Sequence, residues 1–221
     1  GGKNLLRNTD LVASGVYTGN NATVSTPTKW REASVTDGSN YDRTRIEITD
    51  NNYIKDKMYG VKFKIGTTSG SFHICQDNVP MVHNETYTMS CYAKALSGSN
   101  YTLLLQYGIS PYISQSIAIS TEWKQYSWTF TYDKTKFNNT TKTNIYFGIY
   151  GVSTEVSICG MKLEVGNKAT AWTPASEDMA TSYNVASLTT RVQTAEQKLT
   201  KDGITSIVGD YYADGTTTRE A

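Results

Sequence analysis

Chemistry in this chain rests on a short list of side chains. The two histidines, His73 and His83, are too few to build a zinc site or a Ser-His-Asp arrangement. The three cysteines, Cys75, Cys91 and Cys159, lie far apart in strand-like runs, with no CxxC pair. An odd count makes no disulfide framework, so buried free thiols are expected. Acidic residues fall mostly in turn-like stretches (Asp37, Asp42, Asp50, Asp56 and Asp133). None stands isolated in an apolar strand, where its pKa would rise as a general acid requires. No catalytic residue, metal ligand or cofactor is therefore expected.

Aromatic faces beside hydrogen-bonding groups are better represented. Tyr92 and Lys94 share one strand face, and Tyr146 and Tyr150 share another. Gln106 and His73 alternate away from the apolar residues of their own strands. Trp30 sits in the turn-rich stretch Pro27 to Arg31, where an indole can stand exposed. Such groups can stack on a flat ring and bond to its substituents. Each tyrosine fits a half-buried strand position equally well; their convergence on one side carries the expectation.

Short strands must position these groups. Tyr87, Met89, Cys91 and Ala93 alternate with Thr88, Ser90, Tyr92 and Lys94, a period of two. The turn Ser97 to Asn100 leads into Tyr101 to Tyr107, predicting a hairpin between the two runs. In Trp123 to Thr131, Tyr126, Trp128 and Phe130 point one way, as do Ile145, Phe147 and Ile149 in Asn144 to Tyr150. Arg45 to Thr49, Gly60 to Ile65 and Ser71 to Cys75 add further strands. At least eight strands with no helical period between them indicate an all-β, two-sheet antiparallel sandwich over residues 1–175.

After Pro174 the period changes. Ser176 can cap a helix whose first residues, Glu177 and Asp178, suit its positive end. Thr181, Val185, Leu188, Val192, Ala195 and Leu199 then follow a heptad seam, which predicts a coiled-coil-like C-terminal helix over residues 176–201. Asp202-Gly203 ends it, and residues 202–221 start a further β-prone or disordered segment. The opening Gly1-Gly2-Lys3 reads as an expression scar or a cut from a longer polypeptide.

Composition narrows the partners. The 21 Lys and Arg against 20 Asp and Glu leave a net charge of +1, which gives no reason to expect nucleic acid. No apolar run approaches the roughly 18 residues of a membrane helix, so membrane insertion is not expected. The 32 Thr, 20 Ser and 15 Asn instead favour strands and turns.

Four stretches resemble a known family. Asn4-Leu5-Leu6-Arg7-Asn8, Glu85 to Lys94 and Glu122 to Phe130 resemble the opening and two strands of jelly-roll carbohydrate-binding modules of types four, nine and twenty-two. Met161-Lys162-Leu163-Glu164-Val165-Gly166, continuing through Ala169-Thr170-Ala171-Trp172-Thr173-Pro174 to Asp178, is similar to the ending such modules have in phage and prophage tail proteins. The resemblance implies a non-catalytic module that adheres to bacterial cell-surface polysaccharide. Its binding residues would be Trp30, His73, Tyr92, Lys94, Gln106, Tyr146 and Tyr150, on the concave sheet face or the edge loops. It further implies a place in the virion, at the phage tail, after synthesis in the bacterial cytoplasm, with other tail proteins as partners. A structural calcium known from some of these modules is not expected, because Val156 to Gly160 lacks the acidic residue that would hold it. Two alternatives stay open: a structural spacer that trimerises a tail fibre, and an accessory module of a secreted glycoside hydrolase.

The seam is weak, with Thr181 and Ala195 beside Val and Leu, so a two-stranded pairing would be marginal. A parallel homotrimer through residues 178–201 is expected, in which several weak sites act together. Sedimentation of the whole chain against one ending at Asp178 checks this. A monomer in both at about 100 μM rules the trimer out.

Overall fold

Alternating apolar and polar residues build ten strands among the residues that the computed structural model describes, which are 2–11, 30–34, 41–54, 58–97, 102–179 and Val192. The strands are β1 (Arg31–Ser34), β2 (Tyr41–Ile48), β3 (Met58–Ile65), β4 (Gly70–Pro80), β5 (Thr86–Ser97), β6 (Thr102–Gly108), β7 (Tyr112–Ala118), β8 (Lys124–Thr131), β9 (Lys142–Gly151) and β10 (Thr154–Val165). They form two antiparallel five-stranded sheets, ordered β1-β4-β9-β6-β7 and β2-β3-β10-β5-β8. This is a jelly-roll β-sandwich.

One apolar core fills the space between the sheets. The first sheet contributes Phe72, Ile74, Leu103, Leu105, Ile145, Phe147 and Ile149; the second contributes Phe63, Tyr87, Met89, Cys91, Ile158, Met161 and Leu163. Phe63 meets Phe72 edge-on at 6.1 Å, and Tyr107 stacks on Phe130 at 4.1 Å. The three cysteines are free and buried.

The expected hairpin between β5 and β6 does not form. β5 pairs with β10 and β8, whereas β6 pairs with β9 and β7, so the chain crosses from one sheet to the other between them. The alternation in both strands satisfies either arrangement, because each needs one buried face in the same core.

A bulge in β10 sets its last turn of chain. Cys159 pairs with Tyr92 and Lys162 with Ser90, so three steps on β10 match two on β5. Gly160 takes the extra place at φ +58, where a Cβ would come within 2.8 Å of the Tyr92 ring. Without the bulge Lys162 would point into the core. With it, Met161 and Leu163 face inward while Lys162 and Glu164 face out, yet these two are 0% and 1% exposed. The chain that follows covers them.

Lys162 Nζ lies 3.3 Å from Glu164 Oε2 and donates to Thr170 Oγ1 at 2.6 Å and to the Ala171 carbonyl at 3.0 Å. Thr170 returns its own N–H and hydroxyl to Glu164, at 2.8 and 2.7 Å. Asn4, fully buried, ties the opening of the chain to the same place. Its Nδ2 is 3.1 Å from the carbonyls of Met161 and Thr173, and its Oδ1 accepts from Leu6 and Leu163. Trp172 Nε1 donates to Thr9 Oγ1 at 3.0 Å. The chain divides into two units, Gly1–Ser176 and Glu177–Ala221. In the second, residues 177–179 are helical, continuing from Ser176, and Val192 is helical and 53% exposed. The other seam residues, Thr181, Val185, Leu188, Ala195 and Leu199, and the stretch 202–221 lie outside the described residues.

Breaking a buried ion pair from one side strands the other charge, at a cost of about 3–5 kcal/mol. Lys162→Met should therefore destabilise the domain by about that much in urea unfolding. Lys162→Met with Glu164→Leu should recover most of the loss. A double variant no better than the single one would contradict this account of the pair.

Candidate functional site

The first sheet turns Ile145, Phe147 and Ile149 of β9 into the core, so Asn144, Tyr146, Gly148 and Tyr150 face outward. Strand register extends this face sideways. Tyr146 lies opposite Cys75 of β4 and Gln106 of β6, and Gln106 lies opposite Ser114 of β7. In the next row Gly148 lies opposite His73 and Leu104, and Tyr150 follows beside Ser71 and Thr102. Tyr112 begins β7 opposite Gly108.

Three aromatic rings interlock across this face. Tyr146, 4% exposed, meets His73 edge-on at 6.0 Å and Tyr112 edge-on at 5.7 Å. Asn144 Nδ2 donates to the Tyr146 hydroxyl at 3.3 Å, while its Oδ1 accepts from the Asn78 N–H at 3.1 Å. Burial pushes the Tyr146 hydroxyl up to about 12, against the opposing pull of that hydrogen bond, so it stays neutral. Tyr146 is thus a support, and the faces offered to solvent belong to Tyr112 and Tyr150, 55% and 50% exposed. At the end of the row Arg31 donates to both carboxylate oxygens of Asp77, Nη2 at 2.8 Å.

His73 is the anomaly of the face. It is 1% exposed, and neither ring nitrogen has a hydrogen-bond partner. Glycine at 148 makes room for it, since a Cβ there would come within 2.5 Å of the imidazole. Burial, reinforced by the nearby Arg43 charge, holds the imidazole down at about 4, so it is uncharged at neutral pH.

Four of the residues expected from sequence, His73, Gln106, Tyr146 and Tyr150, therefore share one face. Tyr92 and Lys94 do not join them; they lie on β5, on the outer face of the second sheet. Tyr92 is only 3% exposed. Trp30 is a correction: it is not an exposed turn indole but a core residue, 1% exposed. Its Nε1 donates to the carbonyls of Arg7 and Asn8, and its ring stands edge-on to Phe147 at 6.2 Å. A tryptophan buries well when its single N–H finds backbone acceptors, and the opening segment supplies them. Residues 27–29 of its stretch lie outside the described residues. Sequence reasoning missed Tyr112, Asn144, Arg31 and Asp77. The alternation of Ile113 and Ile117, which pack on the core, is the signal that would have placed Tyr112 outside.

The profile of the carbohydrate binding domain family of types 4 and 9 matches residues 35–154, more than half of the chain. The chain belongs to this family. No curated protein sequence matches it. Among solved structures, a putative sugar binding protein from Bacteroides thetaiotaomicron is 10% identical, with a TM-score of 0.55 over 74% of this chain and 100% of that one. At this identity the likeness concerns the fold. A xylan-binding domain from Paenibacillus barcinonensis is 12% identical, with a TM-score of 0.48 over 76% of this chain and 97% of that one. The tailspike protein 4 of bacteriophage CBA120 is 11% identical, with a TM-score of 0.49 over 63% of this chain. That structure is of the tailspike's enzymatically active domain, and this chain spans only 20% of it.

The carbohydrate binding domain has a built-in sensitivity to acid. A histidine depressed from 6.5 to about 4 on folding binds its proton more readily when unfolded. Stability is full above the unfolded value and is lost as pH falls from 6.5 toward 4. Urea unfolding should show a loss of about 2 kcal/mol between pH 7 and pH 5, and His73→Leu should abolish that difference. An equal loss in His73→Leu would show that another group is responsible.

Proposed function

We propose that the domain binds an oligosaccharide stretch of bacterial cell-surface polysaccharide on the outer face of its first sheet, as a non-catalytic adhesion module. One observation carries this reading: Tyr112 and Tyr150 present half-exposed rings on the same face as Gln106 and the rigid Tyr146. Flat rings stack on the CH faces of sugars, and amides and hydroxyls beside them recognise the sugar hydroxyls. Along β6, Tyr112 sits at the level of Gly108 and Tyr150 at that of Thr102. The six steps between Thr102 and Gly108 correspond to about 20 Å, a length that suits a chain of sugars rather than one ring. Among the described strand residues of this face the one carboxylate is Asp77, which Arg31 occupies. Glycoside hydrolysis uses two carboxyl groups, so the arrangement favours binding over cleavage.

The phage-tail setting rests on the resemblance of residues 161–178 to module endings in tail proteins, and on the heptad seam that follows. A trimer presenting three such faces toward a host surface would turn weak single sites into avidity.

Phages whose tail proteins carry such endings infect mainly Gram-positive bacteria, so binding to polysaccharide from Gram-positive cell walls tests the reading. Tyr112→Ala and Tyr150→Ala should each weaken it about tenfold, or 1.4 kcal/mol, with Tm nearly unchanged because both rings are half exposed. Full affinity in both variants would remove the site from this face. Binding that is absent in the wild type, with a trimer intact, favours the structural-spacer reading.

A further inference from the structure

The outer face of the second sheet carries a cluster that the proposed site does not use. Residues 49–54 fold down onto it. Asn51, 7% exposed, donates from Nδ2 to Cys159 Sγ at 3.3 Å, and its Oδ1 accepts from the Tyr53 N–H at 2.9 Å. This clamp lays the Tyr53 ring on Tyr92, with centroids 5.3 Å apart and planes 24° from parallel. Tyr92 is itself immobilised in a small apolar cluster with Met58, Trp123 and Cys159. One face of Tyr53 is therefore fixed against protein, while the residue as a whole is 59% exposed. An aromatic ring pre-ordered in this way loses little freedom when a ligand settles on it.

Polar groups flank the ring. Asp50, in the same loop, accepts from Lys94 Nζ at 2.7 Å and from Trp123 Nε1 at 2.9 Å. Those two hydrogen bonds, Lys94 first, hold its carboxyl below the usual carboxylate range, so it is an acceptor at neutral pH. A carboxylate has about four acceptor positions, of which two are filled, and an ammonium has three donors, of which one is used here. The Asp50 side chain is 56% exposed and that of Lys94 26%. A flat ring, a fixed acceptor and spare donors together match the CH face and hydroxyls of a sugar.

We propose that this cluster is a second saccharide subsite, on the face of the sandwich opposite the first, with Tyr53 as the stacking residue and Asp50 and Lys94 as hydroxyl partners. It does not depend on the first site. With both in place, one domain engages two glycan strands, or two segments of one, from opposite sides.

The Trp123 indole N–H, bonded to Asp50, reports on this face in an NMR titration of the whole chain. The probes are β-1,4-galactotriose, xylohexaose and soluble fragments of Gram-positive wall polysaccharide. In protein carrying Tyr112→Ala and Tyr150→Ala, at least one probe should still move the Trp123 indole and Tyr53 ring signals saturably. Tyr53→Ala and Asp50→Asn should each weaken that response about tenfold, and Tyr53→Phe should keep it. Asp50→Asn keeps the side-chain size but replaces one acceptor oxygen with a donor, so a loss there reflects recognition rather than packing when the Tyr53 ring signals of the ligand-free variant match those of the wild type. Wild-type titrations that shift Tyr146 and Gln106 but leave Trp123 and Tyr53 still would overturn the second subsite and keep the first. Movement of Trp123 and Tyr53 alone would keep the second and overturn the first. No movement on either face with any probe overturns both.

Discussion

The buried pairing of Lys162 with Glu164 is the constraint from which the arrangement of faces follows. Two charges this deep are stable only if partners satisfy what they lose from water. Those partners are Thr170 and the Ala171 carbonyl, so residues 166–173 must fold back over the second sheet. Burial alone would raise the Glu164 carboxyl, but the Thr170 hydrogen bonds and the Lys162 charge outweigh it and keep the group below its usual range. Asn4 then draws the opening of the chain to the same point, bonding β10 and the returning segment at once. The stretch from Lys162 to Trp172 thus serves as a closure of the sandwich.

That closure divides the work between the two sheets. The second sheet takes the returning segment and the loop 49–54 on its outer side, leaving aromatic surface at Tyr53. The first sheet keeps Tyr112 and Tyr150 half exposed on its own outer side, over a buried layer of Tyr146 and His73. His73 is the unusual member of that layer. An unpartnered imidazole in low dielectric is stable only when neutral, and there it acts as a flat edge against Tyr146 rather than as a hydrogen-bonding group. The face therefore combines rigid aromatic support below with exposed rings above, an arrangement suited to binding an extended ligand without rearrangement.

Alternation by itself determined the all-β class, the inward set from Tyr87 to Ala93 and from Ile145 to Ile149, and the outward direction of His73, Gln106, Tyr146 and Tyr150. A period of two has one solution when a single face can be buried. The stretches Glu85 to Lys94 and Glu122 to Phe130, both inside the matched residues 35–154, likewise pointed to the family. Pairing partners were not legible. β5 and β6 alternate as hairpin strands would, yet each belongs to a different sheet, since alternation specifies a face and not a neighbour. For the same reason Tyr92 and Lys94 looked equivalent to Tyr146 and Tyr150, although a sandwich has two outer faces and these pairs lie on opposite ones. Trp30 failed for another reason: a turn-rich setting says nothing about which backbone carbonyls a distant segment brings to the indole. Which aromatic rings stay exposed was decided only by the tertiary structure, where Tyr53 covers Tyr92, and Tyr112 and His73 flank Tyr146, through contacts between residues far apart in the chain.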